Sequence, residues 1–130
     1  MSIILGQRSL SRLEGVHPDL VRVVKRAISI SKIDFTVIEG LRTMARQREL
    51  FAKGATKTMR SRHIHGFAVD IAPYVAGSIR WDWPLFDHIE TAMKEAARLE
   101  NVPITWGGNW ASFKDGPHWE LPHAKYPDPK

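Results

Sequence analysis

The chain contains no cysteine. A disulfide framework and a thiolate metal site are therefore both excluded, and any bound metal must be held by histidine, aspartate or glutamate. No apolar run reaches membrane-spanning length, and the short stretch Ile3-Ile4-Leu5 lacks the preceding basic residues of a secretory signal. Repeats and low-complexity tracts are absent too, which removes solenoid and disordered architectures. Acidic residues are scarce in the first half. Residues 1–62 carry 13 Lys/Arg against 5 Asp/Glu, net +8, while residues 63–130 carry 6 against 9, net −3. A basic half attracts polyanions, such as nucleic acid or a bacterial envelope polymer. The same pattern also describes a solvated face, and no recognition helix or aromatic RNA-binding motif accompanies it, so no nucleic-acid partner is expected.

What is present is the composition of an ordinary globular protein, 43% hydrophobic and 25% charged over 130 residues. That length can bury a core without help from a partner subunit. The expectation is a single domain over residues 1–130, made in the cytoplasm without a signal peptide, not inserted in a membrane, and monomeric. Pro122–Lys130 reads as a surface tail.

Local patterns predict the elements. A short opening helix falls within Ser9–Glu14, where Ser11 and Glu14 make a weak capping box and Gly15 a stop. Pro18 suits a first helical position, and Leu20, Val23, Val24, Ala27 and Ile28 recur at helical spacing, so a helix spans 18–30. Phe35–Glu39 is β-branched and aromatic and reads as a strand closed by Gly40. Thr43 can cap a helix whose apolar positions include Met44, Leu50 and Phe51 and which ends at Gly54. Residues 53–62 read as a basic loop. Phe67–Ala72 is a largely buried strand ended by Pro73. After Trp81-Asp82-Trp83-Pro84 comes the strongest helix, with Leu85, Ile89, Ala92, Met93, Ala96 and Leu99 on one stripe, ending near Asn101. Short strands at 104–106 and 118–121 flank a Gly107-Gly108-Asn109 turn. Helices with short, hairpin-like late strands point to an α+β fold with a small, mainly antiparallel sheet.

The chemistry concentrates in Ser61-Arg62-His63-Ile64-His65-Gly66-Phe67-Ala68-Val69-Asp70. Imidazole and carboxylate are good zinc donors, and three protein ligands plus an open position make a catalytic site. This stretch supplies two ligands, and chemistry alone does not choose between His63 and His65. An Asp70 inside a buried strand needs a metal or an arginine for company. Downstream, Asp115-Gly116-Pro117-His118-Trp119-Glu120 offers a further histidine three residues after a carboxylate, across a stiff turn. Glu120 lies on the same strand face as His118 and can either hold its second ring nitrogen or form a surface ion pair. Ser61 suits loop orientation or substrate anchoring. Trp106, Trp110 and Trp119 suit the core first and a cleft wall second. His17, His88 and His123 fit no chemical pattern and read as surface or capping residues.

Ser-x-His-x-x-Gly-x-Ala-x-Asp at 61–70, followed by Asp-x-Pro-His at 115–118, resembles the zinc peptidoglycan peptidases. That family embraces D-Ala-D-Ala dipeptidases, D,D-carboxypeptidases and the L-alanyl-D-glutamate peptidases used by phages as endolysins. Val16-His17-Pro18, Gly40-Leu41-Arg42-Thr43, Trp106-Gly107-Gly108-Asn109-Trp110 and Ser112-Phe113 resemble the last branch in the same order. The resemblance implies one zinc ion per chain, set in a cleft and bound by His63, Asp70 and His118, with Asp115 as general base and Arg42 polarising the scissile carbonyl. It leaves His65 either lining the cleft or supporting a ligand from behind. The implied substrate is the peptidoglycan stem peptide, cut between L-Ala and D-Glu during host lysis. The rival readings are a D,D-carboxypeptidase of the same fold and a noncatalytic zinc module that binds cell walls. Asn109, where the family often has Asp, and Trp119, where it often has Phe, depart from the pattern without touching a ligand.

Overall fold

The computed structural model describes residues 5–56, 61–110 and 114–129. Ile3-Ile4, residues 57–60 of the expected loop, Ser112-Phe113 and Lys130 of the expected tail lie outside the described residues. In chain order the elements are α1 (Gln7–Arg12), α2 (Pro18–Ile30), β1 (Phe35–Glu39), α3 (Met44–Ala52), β2 (Ala68–Val75), β3 (Ser78–Ile79), α4 (Trp83–Glu100), β4 (Thr105–Trp106) and β5 (His118–Glu120). Two 3-10 turns, Arg62–His65 and Gly107–Asn109, carry the chain into and past the site.

The sheet is antiparallel in the order β1-β2-β5-β4, with β3 folding back on the end of β2. This is the expected α+β architecture. Side chains of a strand alternate between faces, and here the two faces do different work. Val69 and Trp119 are paired and fully buried. Together with Val37, Ile71 and Trp106 they pack with the apolar faces of α2 and α4 in one core. Asp70 is paired with His118, and Ala68 with Glu120, so the opposite face carries the polar groups.

The long helices form where the spacing predicts. In α2 the buried stripe is Leu20, Val23, Val24, Ala27 and Ile28, and the His17 side chain caps its start by accepting from the Asp19 N–H at 3.0 Å. α4 begins with Pro84 in its first turn and stops at Asn101, whose left-handed φ of 57° closes the helix. Its stripe is rotated from the expected one. Phe86 and Ala97 are buried, whereas Leu99 is 46% exposed.

Three details differ from the sequence reading, the last being α1, which runs two residues earlier than expected, over Gln7–Arg12. β2 runs through Pro73 to Val75 instead of stopping. Ile71 N–H donates towards β5, to Pro117 O, and Tyr74 N–H donates to Asp34 O on the other side. By alternation the Pro73 nitrogen faces the β5 side, beyond the end of β5 pairing, so the strand loses one donor while its carbonyl still accepts from Arg80 N–H. α3 turns a polar residue inward: Gln47 is fully buried while Met44 and Phe51 are exposed. Finally, α1 covers the edge of β1, where Ser9 Oγ accepts from Val37 N–H at 2.9 Å and Arg12 Nη1 donates to Val37 O at 3.0 Å. An otherwise open strand edge is thereby closed.

Candidate metal centre and active site

β2 and β5 set the frame by pairing Asp70 with His118. The 3-10 turn at Arg62–His65 brings in His63. Its entry is capped by Ser61 Oγ, which accepts from His63 N–H at 3.2 Å, and its exit is Gly66 at φ 76°. A side chain at Gly66 is doubly excluded, because a Cβ there would sit 2.4 Å from Gly15 O.

One ligand atom from each of His63, Asp70 and His118 lies within 4.8 Å of the other two. Each ring is fixed by its remaining nitrogen. His63 Nδ1 donates to Gly40 O at 2.8 Å, leaving Nε2 3.2 Å from Asp70 Oδ1. His118 Nε2 is held by Glu120 Oε1 at 2.8 Å, leaving Nδ1 3.3 Å from the same Asp70 oxygen. Backbone carbonyls and carboxylates of this kind set the tautomer of metal-binding histidines. The donor set of two nitrogens and one carboxylate oxygen fits zinc or another imidazole-preferring divalent metal. His65 is exposed, lies with its ring tilted 6.1 Å from that of Phe67, and is outside the group.

The electrostatics of the centre follow from burial and close pairing. Burial opposes charge on Asp70, but hydrogen bonds and positive charge from His118 and His63 outweigh it and hold the carboxyl far below the usual range. For His118, burial again opposes the charged form, yet Asp70 and Glu120 on its two nitrogens push its pKa up to about 9. Asp115 moves the other way. Burial and the neighbouring Asp70 charge raise its pKa, partly offset by His118, His63 and Arg42.

Asp115 stands on the turn leading into β5. Its N–H donates to Gly107 O at 3.0 Å, and its carbonyl accepts from His118 N–H at 3.2 Å. Gly107 is needed at this crossing, since a Cβ would meet Asp115 O at 2.6 Å. Asp115, Arg42, Trp110 and Glu39 line the same cleft of about 460 Å3 as the three candidate ligands. Glu39 arrives there because the register shifts between Val37 and Glu39, setting it opposite Asp70.

The Arg42 side chain is only 9% exposed and its donors are largely committed. Nε donates to Glu39, while Nη1 donates to Gln47 Oε1 at 2.8 Å and Ser61 Oγ at 3.3 Å. Nη2 lies 3.9 Å from Asp70 Oδ2 and is the end of the guanidinium turned to the centre. Ser61 thus orients the loop through two hydrogen bonds. Among the tryptophans, Trp106 and Trp119 are stacked in the core at 5.5 Å, whereas Trp110 sits 5.0 Å from the His118 ring in the cleft.

Residues 1–122 match the family model of phage L-alanyl-D-glutamate peptidases. The chain belongs to the phage L-alanyl-D-glutamate peptidase family. It is 33% identical over 130 aligned residues to the L-alanyl-D-glutamate peptidase of Escherichia phage T5, covering 97% of this chain and 94% of that one. The peptidoglycan L-alanyl-D-glutamate endopeptidase CwlK of Bacillus subtilis is 32% identical over 112 residues, covering 75% of this chain and 66% of CwlK. The crystal structure of Serratia marcescens L-Ala D-Glu endopeptidase ChiX superposes with a TM-score of 0.92 at 46% identity, covering 98% of this chain and 96% of that one. Among residues that the sequence reading passed over, Glu39 and Arg62 line the cleft and Gln47 accepts from Arg42. Gln47 alone had a signal, a polar residue at helical spacing between Met44 and Phe51.

Proposed function

We propose that this protein is a zinc metallopeptidase that hydrolyses the L-Ala–D-Glu amide bond of peptidoglycan stem peptides and acts on the bacterial wall as a phage-type endolysin. The carrying observation is the converging His63, Asp70 and His118 set, with each ring's second nitrogen already tied. Residues 1–130 work as one peptidase domain and as a monomer. Among the described residues, no helix is long and apolar enough to cross a membrane.

His63, Asp70 and His118 would hold the metal. When bound, zinc supplies Lewis acidity at neutral pH, activating water and polarising an amide carbonyl. Asp115 is the general base: it accepts the proton of the attacking water and delivers it to the departing amine nitrogen. Its place in the cleft with the three candidate ligands puts it within reach of both the water and the amine. Arg42 places Nη2 beside the centre, where a guanidinium stabilises negative charge developing on the substrate oxygen. Its bonds to Glu39, Gln47 and Ser61 hold that end in position before substrate arrives.

The test is lysis of outer-membrane-permeabilised cells by zinc-loaded protein, with and without chelator, joined to mass spectrometry of a digested muropeptide. Chelator-sensitive clearing with release of the stem at L-Ala is the expected result. Loss of a terminal D-Ala instead would make the protein a D,D-carboxypeptidase, and no cleavage at all would sink the enzymatic reading.

A further inference from the structure

Arg62 adjoins a candidate ligand in sequence and lines the same cleft, but its guanidinium bonds to the chain's last segment. Its side chain is 3% exposed. Nη2 donates to Leu121 O and to Tyr126 O, both at 2.7 Å, and Nη1 donates to Asp128 Oδ1 at 2.7 Å. The guanidinium carbon lies 4.5 Å over the Phe67 ring. Nε is buried without a hydrogen-bond partner and has Glu120 Oε2 at 3.9 Å.

The segment held this way has few apolar contacts of its own. Leu121 is fully buried, but beyond it only Pro122 and Tyr126 are even partly covered. Tyr126 gives a second anchor, donating its hydroxyl to Asp19 Oδ2 at 2.7 Å and packing edge-on against His17 at 5.2 Å. Residues 121–128 therefore form a strap from the start of α2 to the candidate metal centre. The match to the family model ends at residue 122, so most of the strap lies beyond it.

His123 of the strap lines the cleft, and the strap reaches the His118 ring through one carboxylate. Glu120 Oε1 holds His118 Nε2, and Oε2 faces Arg62 Nε. At 3.9 Å Arg62 attracts Glu120 without donating a hydrogen bond to it, so the carboxylate stays beside the ring with Oε1 accepting from His118. Arg62 itself is a buried cation whose acceptors are mostly strap atoms. Without them its charge has one remaining anion to turn to, Glu120, and the hold on His118 is weakened.

We infer that Arg62 and the strap 121–128 are positioning elements: through Glu120 they fix the His118 ring so that Nδ1 faces the metal. The inference rests on the metallopeptidase reading. Carboxylates that orient a ligating histidine typically govern metal affinity by 10–100-fold, and Arg62 acts one contact further out.

The experiment uses full-length protein, with Arg62→Gln, Arg62→Lys, Asp128→Ala and the parent compared for zinc affinity by chelator competition and for the visible spectrum of the cobalt-substituted form. In Arg62→Gln, zinc affinity is expected to fall about tenfold, with a changed cobalt spectrum and a loss in kcat at unaltered KM. Arg62→Lys, which keeps the charge but not the fork, recovers part of it. Asp128 is exposed enough for its alanine variant to fold, and about threefold weaker zinc binding with the same direction of spectral change is expected there. A folded Arg62→Gln with parental zinc affinity and cobalt spectrum overturns the role of Arg62. Parental values in Asp128→Ala overturn the role of the strap, whether or not Arg62→Gln folds. A parent that binds no zinc would instead overturn the metallopeptidase reading itself.

Discussion

Removing the metal should make the fold sensitive to alkali, because His118 then carries a proton that the unfolded chain would release. Its pKa is 6.5 in the ordinary state and about 9 in the folded, metal-free protein, where it bonds to Asp70 and Glu120. The folded state binds the proton more tightly, so this stabilisation is fully present below about pH 6.5 and is lost as pH rises through about 9. A gap of that size is worth about 3 kcal/mol at 1.36 kcal/mol per unit. With an unfolding entropy of about 2.1 cal/mol/K per residue, the loss lowers the melting temperature by roughly 10 °C. Asp70 has the opposite window: its contribution is present above about pH 3.8 and disappears as pH falls towards its depressed pKa. The measurement is thermal unfolding of chelator-stripped protein from pH 6 to pH 10, referenced to His118→Gln, which lacks the titration. Zinc competes with the same proton, so its apparent affinity should climb by up to about tenfold per pH unit over the same range. A melting-temperature difference between parent and variant that stays flat across this range would refute the reasoning.

Asp115→Asn should lower kcat by about 10²–10⁴ while zinc binding, followed by chelator competition, stays near the parental value. Gly107→Ala forces a Cβ to within 2.6 Å of Asp115 O and should cost about 1–3 kcal/mol in denaturant unfolding, with activity falling further because base and ligand share the displaced turn. His65→Ala, at an exposed position outside the ligand group, should leave lysis and zinc affinity within about twofold of the parent. A larger loss there would reopen the choice between the two histidines.

Much of the fold was legible because its signals are local. The α2 stripe, the Thr43 cap that accepts from Arg46 N–H, and the β1 run are set by neighbours within a few residues. The strand end at Pro73 was misread because a proline is tolerable only relative to the reach of β5, which sequence spacing does not express. Likewise the face of α3 could not be read from its apolar residues, since what it covers is the polar Arg42, itself placed by the turn after β1. The candidate ligands were legible as a motif. Glu39 was not, because a register shift 31 residues before Asp70, visible only once β1 is laid on β2, carries it into the cleft. Arg62 was hidden for a similar reason: its partners are residues 121–128, and nothing near it in sequence announces them.

The alternation along β5 ties two otherwise separate properties to a single reading frame. His118 and Glu120 face the cleft, and Trp119 between them fills the core. Deleting or inserting one residue in this short strand would swap those positions, sending an indole into water and an imidazole into the apolar layer. A chain that slipped in this way would forfeit its stability together with its chemistry, so a misregistered form could not persist as a stable but inactive by-product. Indel scanning should therefore find β5 intolerant of length changes even where individual substitutions are accepted, and insertions should survive instead in the exposed Ala76-Gly77 turn between β2 and β3.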